Sequence, residues 1–253
     1  MGETRLSAFK AYDIRGKAPD ELNEAMVYKI GRAYAAEFRP RGAIAVGRDV
    51  RETGVSFSRE FIRGLNDAGV DVLDIGLCGT EMVYYASSLE GMGGGAMITA
   101  SHNPRDYNGV KLVRSGARPI SEDSGLLDLE RRVRVGDLPA HALKRGETLA
   151  RDIMEEYTRK TLSFVDTGRL RPLKILVNPG NGCAGPALDI LAASLPFEFV
   201  KINFQPDGSF PNGIPNPLLV ENREATAGAV RACKADLGIA WDGDFDRCFF
   251  FDE

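Results

Sequence analysis

Leu237-Gly-Ile-Ala-Trp241, Asp242-Gly-Asp244-Phe-Asp246-Arg247 and Cys248-Phe-Phe-Phe251 follow one another near the end of the chain. They read as strand, loop and strand. The apolar run stops abruptly at three carboxylates on alternate positions. Two like charges about 4 Å apart repel by roughly 1 kcal/mol in water and about 4 kcal/mol at an effective dielectric of 20. Three of them at one strand end call for a cation. All-oxygen ligands in a small cluster suit Mg²⁺, which keeps waters and shares a phosphate oxygen. A sheet strand that ends in such a loop points to an α/β fold and to phosphate chemistry.

Other readings of the loop fit less well. An EF-hand also begins D-x-D-x-D, and Glu253 falls on its twelfth position. Its sixth position must be glycine for the sharp turn, and here it is Arg247. The run after Arg247 reads as a buried strand, not as a calcium loop entering a helix. A haloacid-dehalogenase-type phosphatase would carry its Asp pair on an early strand, with Thr following. A solvated acidic turn is the plain alternative, and a second motif weighs against it.

That motif is Thr99-Ala-Ser101-His102-Asn103-Pro104. It follows a glycine-rich entry at 91–95 and a short apolar run at 96–98, a strand leading into a tight loop. Ser101 is presented at the strand's end, and Pro104 prevents continuation as a helix. A serine hydroxyl is a weak nucleophile without a base or a metal. His102 is one of two histidines, with His141. Read alone, the segment is a turn or helix cap built of Ser, Asn and Pro. A protease-like triad fits poorly, because neither histidine has an evident Asp partner and no G-x-S-x-G elbow surrounds Ser101.

Taken together, the two motifs resemble the α-D-phosphohexomutase family. Its phosphoserine loop is T-A-S-H-N-P and its metal loop is D-G-D-x-D-R, in this order. Tyr12-Asp-Ile-Arg15-Gly16 is similar to the family's N-terminal signature, and Asn108-Gly-Val-Lys111 to its N-G-x-K segment. The likeness covers essentially all 253 residues. Phosphoglucosamine mutases open with F-G-T-D-G-I-R-G and carry D-G-D-A-D-R. This chain has Lys10-Ala-Tyr-Asp-Ile-Arg-Gly-Lys17 and Phe245 instead. Asp71-Val-Leu-Asp-Ile-Gly76, the Leu-Cys-Gly-Thr-Glu81 that follows, and Pro206-Asp-Gly-Ser-Phe-Pro-Asn-Gly213 look like bacterial phosphomannomutases, which supply mannose 1-phosphate for GDP-mannose.

The resemblance implies a site and a reaction. Phosphorylated Ser101, Asp242, Asp244 and Asp246 would hold Mg²⁺. Ser101 would exchange its phosphate with mannose 6-phosphate or mannose 1-phosphate through a hexose bisphosphate. Arg15 and Arg247 would offset the phosphate charge, Lys111 would handle the proton of the transferring hydroxyl, and His102 would flank the nucleophile. Tyr12 reads as packing or loop support. The alternatives are a phosphoglucomutase or dual-specificity phosphohexomutase, a metal-dependent phosphatase, and a non-catalytic half that binds Mg²⁺ and phosphosugars. Family members run to four domains. Their sugar-reading G-E-M-S/A-x-H loop and phosphate-gripping R-x-S-G-T-E-P loop do not occur in this sequence. The expectation is therefore an N-terminal half, domains 1 and 2, poorly active alone, with a chain supplying domains 3 and 4 as a candidate partner.

Composition agrees with a soluble globular chain. Hydrophobic residues make up 43% and charged residues 27%. A net charge of −4 offers no basic footprint for nucleic acid. No apolar run reaches the length of a membrane span, and the first residues are not a signal peptide. Cys78, Cys183, Cys233 and Cys248 form no C-x-x-C pair and read as reduced, mostly buried thiols of a cytoplasmic protein.

Strand-like stretches at 43–46, 70–75, 96–98 and 110–113 alternate with helix-like ones at 56–68, 81–88 and 121–135. Gly136, Pro139 and Gly146 mark a linker, so the expected domains are 1–145 and 146–253. In the second, strands are expected at 173–177, 197–202 and 237–241, and helices at 151–165 and 221–233. Asn178-Pro-Gly-Asn-Gly-Cys-Ala-Gly185 reads as a strand-to-helix turn, since it lacks both the P-loop Gly-Lys-Ser/Thr and a Rossmann acidic partner. The fold expected from the resemblance is two tandem α/β domains, each a mixed sheet packed between helices.

Overall fold

The strands around the serine motif assemble first. β1 (Ile14–Lys17), β2 (Ala43–Arg48), β3 (Val72–Leu77), β4 (Met92–Ile98), β5 (Tyr107–Arg114), β6 (Arg118–Pro119) and β7 (Thr148–Ala150) form one sheet. Its order is β1-β5-β4-β2-β3-β7, with β6 on β5. β4, β2, β3 and β7 run parallel, whereas β5 is antiparallel to β4 and to β1. The sheet is therefore mixed. The computed structural model describes residues 5–252. Residues 1–4 and Glu253, the EF-hand position considered above, lie outside the described residues.

The parallel centre is covered on both faces, as strands with apolar runs require. Ile44, Ala45 and Val46 are fully buried. One face carries α1 (Glu24–Phe38), α2 (Gly54–Asp67) and α4 (Leu126–Val135). Phe57, Phe61 and Leu65 lie at four-residue spacing along α2 and point into this core. The other face carries α3 (Thr80–Ser88) and α5 (Met154–Leu162), through Met82, Val83 and Ala86 of α3 and Met154 and Tyr157 of α5.

The second sheet is smaller. β8 (Lys174–Asn178), β9 (Glu198–Lys201), β10 (Leu237–Trp241) and β11 (Cys248–Phe251) take the order β11-β10-β8-β9. β8, β9 and β10 are parallel, and β11 returns antiparallel on β10. α6 (Ala184–Ala192) reaches one face through Leu188, and α7 (Val220–Cys233) packs over β8 and β10.

Several expectations need correction. The helix expected over 121–135 is broken. Glu122–Ser124 is a 3-10 turn, and Gly125, at φ 112°, separates it from α4. The helix expected over 151–165 shortens to α5. Gly93, Gly94 and Gly95 belong to β4 rather than to an entry loop. β11 is not buried: it is the sheet's edge, and Phe250 is 67% exposed. Cysteine burial is also less than expected, with Cys78 and Cys183 buried, Cys233 partly so and Cys248 exposed. Thr148 and Leu149 pair with Val72 and Leu73, so three residues beyond position 146 belong to the first sheet. We place the domain division after β7. Among the described residues no helix is long and apolar enough to cross a membrane.

Candidate active site

Both motifs lie where strands end. β4 delivers the serine loop from the first sheet, and β10 delivers the acidic loop from the second. The acidic loop turns tightly before β11, with the Phe245 amide donating to the Asp242 carbonyl and the Asp242 amide to that of Arg247. This brings one oxygen of each of Asp242, Asp244 and Asp246 within 4.8 Å of the others. A Cβ on Gly243 would lie 2.8 Å from the Ser101 carbonyl oxygen. Glycine at that position is what lets the two loops touch.

The contact between them is direct. Ser101 Oγ donates to Asp242 Oδ2 at 2.5 Å, joining residues 141 apart in sequence. The Ser101 backbone stands in the left-handed region at φ 52°. His102 Nδ1 lies 3.2 Å from the same hydroxyl. The Arg247 guanidinium meets Ser101 Oγ, His102 Nδ1 and Asp242 Oδ2. Lys111, on β5, donates to Asp244 Oδ2 at 2.7 Å and to Asp246 Oδ2 at 2.5 Å. Arg15, on β1, reaches Asn103 Oδ1 and Asp13 Oδ2, each at 2.6 Å. It therefore touches the serine loop through Asn103 and not through Ser101. Tyr12 is 81% exposed, which corrects its reading as a packing residue.

Two features went unread in the sequence. Thr80, fully buried at the start of α3, donates its amide to the Asp244 carbonyl at 3.0 Å and its hydroxyl to Asp244 Oδ2 at 2.6 Å. The preceding Gly79 lies under the Phe245 ring, where a Cβ would come within 2.2 Å. The first domain thus offers a socket for the second domain's loop. The other feature is a buried pair, Asp49 and Arg51, beneath the serine loop. Two charged residues just after a strand were the available signal, but nothing local said that they are buried.

The oxygen atoms of Asp244 have separate surroundings. Oδ2 takes both Thr80 and Lys111, whereas Oδ1 is buried with no partner among the described residues. An orphaned buried oxygen calls for an explanation, such as an ion. Within a three-carboxylate cluster it fits a hard divalent cation with oxygen ligands. Asp242, Asp244 and Asp246 are the residues that would hold it.

The charges are strongly perturbed. Burial, then the neighbouring Asp244 charge, pushes the Asp242 carboxyl up to about 6. Burial acts the same way on Asp244, but the Lys111 charge and hydrogen bonds outweigh it and bring that carboxyl down to about 2. Burial opposes the Lys111 ammonium, yet Asp244 and Asp246 raise its pKa above the usual value. Burial, with the positive charges of Arg247 and Arg15, lowers His102 to about 4. At neutral pH the site pairs a neutral imidazole and a lysine cation with buried carboxylates.

Comparison with known proteins follows the same division. The family model described as phosphoglucomutase/phosphomannomutase, alpha/beta/alpha domain I, matches residues 6–135, and the corresponding domain II model matches residues 155–253. A protein named "Phosphohexose mutases" from Xanthomonas campestris is 53% identical over 247 residues, covering 98% of this chain and 55% of the relative. A phosphomannomutase from Salmonella typhimurium is 51% identical over 256 residues, covering 99% and 56%. The crystal structure of a phosphoglucomutase/phosphomannomutase family protein from Burkholderia thailandensis superimposes with a TM-score of 0.90 at 35% identity, covering 99% of this chain and 55% of that one. The chain spans a little over half the length of the relatives it matches.

Proposed function

The chain belongs to the phosphoglucomutase/phosphomannomutase family, and from that premise we propose that it carries the phosphoserine and metal half of a phosphomannomutase. The single observation that supports this most is the Ser101 Oγ to Asp242 Oδ2 bond, a nucleophile joined to the carboxylate cluster across two domains. Mannose phosphate is the substrate we favour, because the chain is similar along its length to proteins named phosphomannomutase. Glucose phosphate, or both sugars, is the nearest alternative.

In the proposed exchange, the bond between phosphorus and Ser101 Oγ breaks as a bond to the sugar hydroxyl oxygen forms. The proton lost by the sugar hydroxyl is matched by the one gained by Ser101 Oγ, which leaves as a hydroxyl. The bisphosphorylated sugar then returns its other phosphate: the bond between that phosphorus and the sugar oxygen breaks as the bond to Ser101 Oγ forms, and the proton lost by the serine is matched by the one gained by the released sugar oxygen. Mg²⁺ bound at Asp242, Asp244 and Asp246 would neutralise charge on the phosphoryl oxygens. Phosphoserine carries roughly −1.5 to −2 charges at pH 7, set here against the buried Asp242. Arg247 reaches Oγ already and supplies charge-assisted hydrogen bonds to the phosphoryl group. His102, being neutral, adds no charge and holds the hydroxyl. Arg15 acts one residue removed, through Asn103.

Lys111 is recast by its surroundings. As a base it would need to lose a proton that Asp244 and Asp246 both hold in place. We assign it to the donor side of proton handling, as an ammonium beside the transferring group. The groups that read the sugar and grip its distal phosphate lie, in this proposal, outside these 253 residues. Remote binding normally aligns the reacting hydroxyl, so its loss lowers turnover as well as affinity.

Intact-mass measurement of the purified chain, before and after a hexose 1,6-bisphosphate with Mg²⁺, tests the proposal. The expected result is one added phosphate, missing in Ser101→Ala. A mass gain that persists in Ser101→Ala would place the phosphate elsewhere and sink the assignment. No gain in either protein would mean that this chain alone is a non-catalytic half.

A further inference from the structure

Beneath the serine loop, Arg51 is 2% exposed and Asp49 1% exposed. One terminal nitrogen of Arg51 donates to the carbonyls of Ser101 at 2.9 Å and Asn103 at 2.7 Å. The other donates to the carbonyls of Pro104 at 2.7 Å and Tyr107 at 2.8 Å. The loop is curled around one guanidinium. Its carbonyls turn inward, and buried carbonyls need partners. A planar fork of five N–H donors can serve four oxygens at once, which the point charge of a lysine cannot.

Asp49 completes the arrangement. Its Oδ2 lies 3.3 Å from Arg51 Nε and accepts the Thr99 hydroxyl at 2.7 Å. Thr99 Oγ1 in turn accepts the Ser101 amide at 2.8 Å. The same ion pair therefore holds Ser101 on both sides of its side chain, by N–H through Thr99 and by C=O directly. This pins the residue at φ 52°, a conformation that non-glycine residues rarely adopt unless their surroundings impose it. The second domain closes the pocket. The Phe210 ring, 6% exposed, lies 5.5 Å from the Arg51 guanidinium carbon. Gly208 packs so closely that a Cβ there would be 2.0 Å from the Val50 carbonyl oxygen. The segment 206–213 thus roofs the serine loop's support.

We propose that Arg51, backed by Asp49 and Thr99 and roofed by Phe210, is the positioning residue that aims Ser101 Oγ at the Asp242 cluster. It touches neither substrate nor metal, and it acts through the loop backbone. The inference rests on the phosphoserine reading for its consequence and on the loop geometry for its basis.

Arg51→Lys tests it, with Thr99→Val as a second variant that keeps side-chain shape and the buried ion pair. Ser101 phosphorylation by glucose 1,6-bisphosphate with Mg²⁺ is followed by mass in a single turnover. Mn²⁺ binding to the cluster and amide hydrogen exchange across residues 101–107 are measured alongside. In Arg51→Lys the maximal rate should fall about 100-fold, the size expected for a reacting group displaced by about 1 Å. The half-saturating sugar concentration and Mn²⁺ affinity should stay those of the parent. Thr99→Val should show a smaller fall in the same parameter. An unchanged rate overturns the proposal, and so does a Mn²⁺ affinity that falls in step with the rate, since that is general loosening. If Arg51→Lys does not fold, Thr99→Val decides on the same criteria. If the parent chain takes no phosphate, the phosphoserine reading fails for this chain. Exchange then decides: equal protection of 101–107 in parent and variant overturns the clamp, and faster exchange confined to that loop supports it.

Discussion

Asp244 shows how one residue is divided between two tasks. Its Oδ2 is occupied by Thr80 and Lys111, and its Oδ1 has no partner among the described residues. Thr80→Val removes one of the bonds that fix this division while keeping the side-chain shape. A hydrogen bond to a charged group contributes about 1.5–3 kcal/mol, so Mn²⁺ affinity, read by electron paramagnetic resonance titration, should fall roughly tenfold or more. Thr80→Ser should retain it, and parent-like affinity in Thr80→Val would contradict this account. Gly243 makes a complementary case. A Cβ 2.8 Å from the Ser101 carbonyl overfills the contact between the loops, and overpacking costs about 1–3 kcal/mol. Urea denaturation of Gly243→Ala should show a loss of that size. The sequence names Ser101 and the three aspartates because each motif is continuous and chemically unusual. Thr80 and Arg51 are silent there because Asp244 lies 164 residues from Thr80 and the carbonyls that Arg51 binds lie 50 or more residues from it, and an ordinary Thr or Arg after a strand carries no local sign of burial.

Elements differ in how plainly they were written. α2 shows its buried face at helical spacing and was legible. α1 carries the same kind of stripe in Val27, Ile30 and Tyr34, with a weaker signal at its start. Asn23 caps it by accepting from the Met26 amide at 3.0 Å, a cue that a single Asn among loop residues does not advertise. Cys-Phe-Phe-Phe is apolar and so predicts a buried β11, but sheet order decides burial and is not written in one strand. That order makes a contrast testable. Leu176 on β8 is fully buried between neighbouring strands, whereas Phe250 on β11 is 67% exposed. Leu176→Ala should destabilise by about 2–5 kcal/mol. Phe250→Ser should stay within about 0.5 kcal/mol of the parent, as surface substitutions do. Urea midpoints at an unchanged m-value check both, and a large loss in Phe250→Ser would mean that this edge is covered in solution.

At the scale of the whole molecule the site is an interface. The first domain supplies Ser101, Lys111 and Thr80, and the second supplies the carboxylates. Without a cation, Lys111 and Arg247 already offset two of the three negative charges. The metal-free chain should therefore fold, with its domains docked. A cation at the cluster would add a ligand that binds only the folded chain, and such a ligand stabilises by about 2.7 kcal/mol at 100 times its dissociation constant. Mg²⁺ should accordingly raise the thermal midpoint, and a chelator should return it to the metal-free value without unfolding the protein. Asp244→Asn removes a ligand charge while leaving an amide of the same shape. In that variant the Mg²⁺-dependent shift should vanish. A shift equal to the parent's would place the bound ion elsewhere, and unfolding of the parent by chelator would mean that Lys111 and Arg247 are not enough to hold the cluster without a cation.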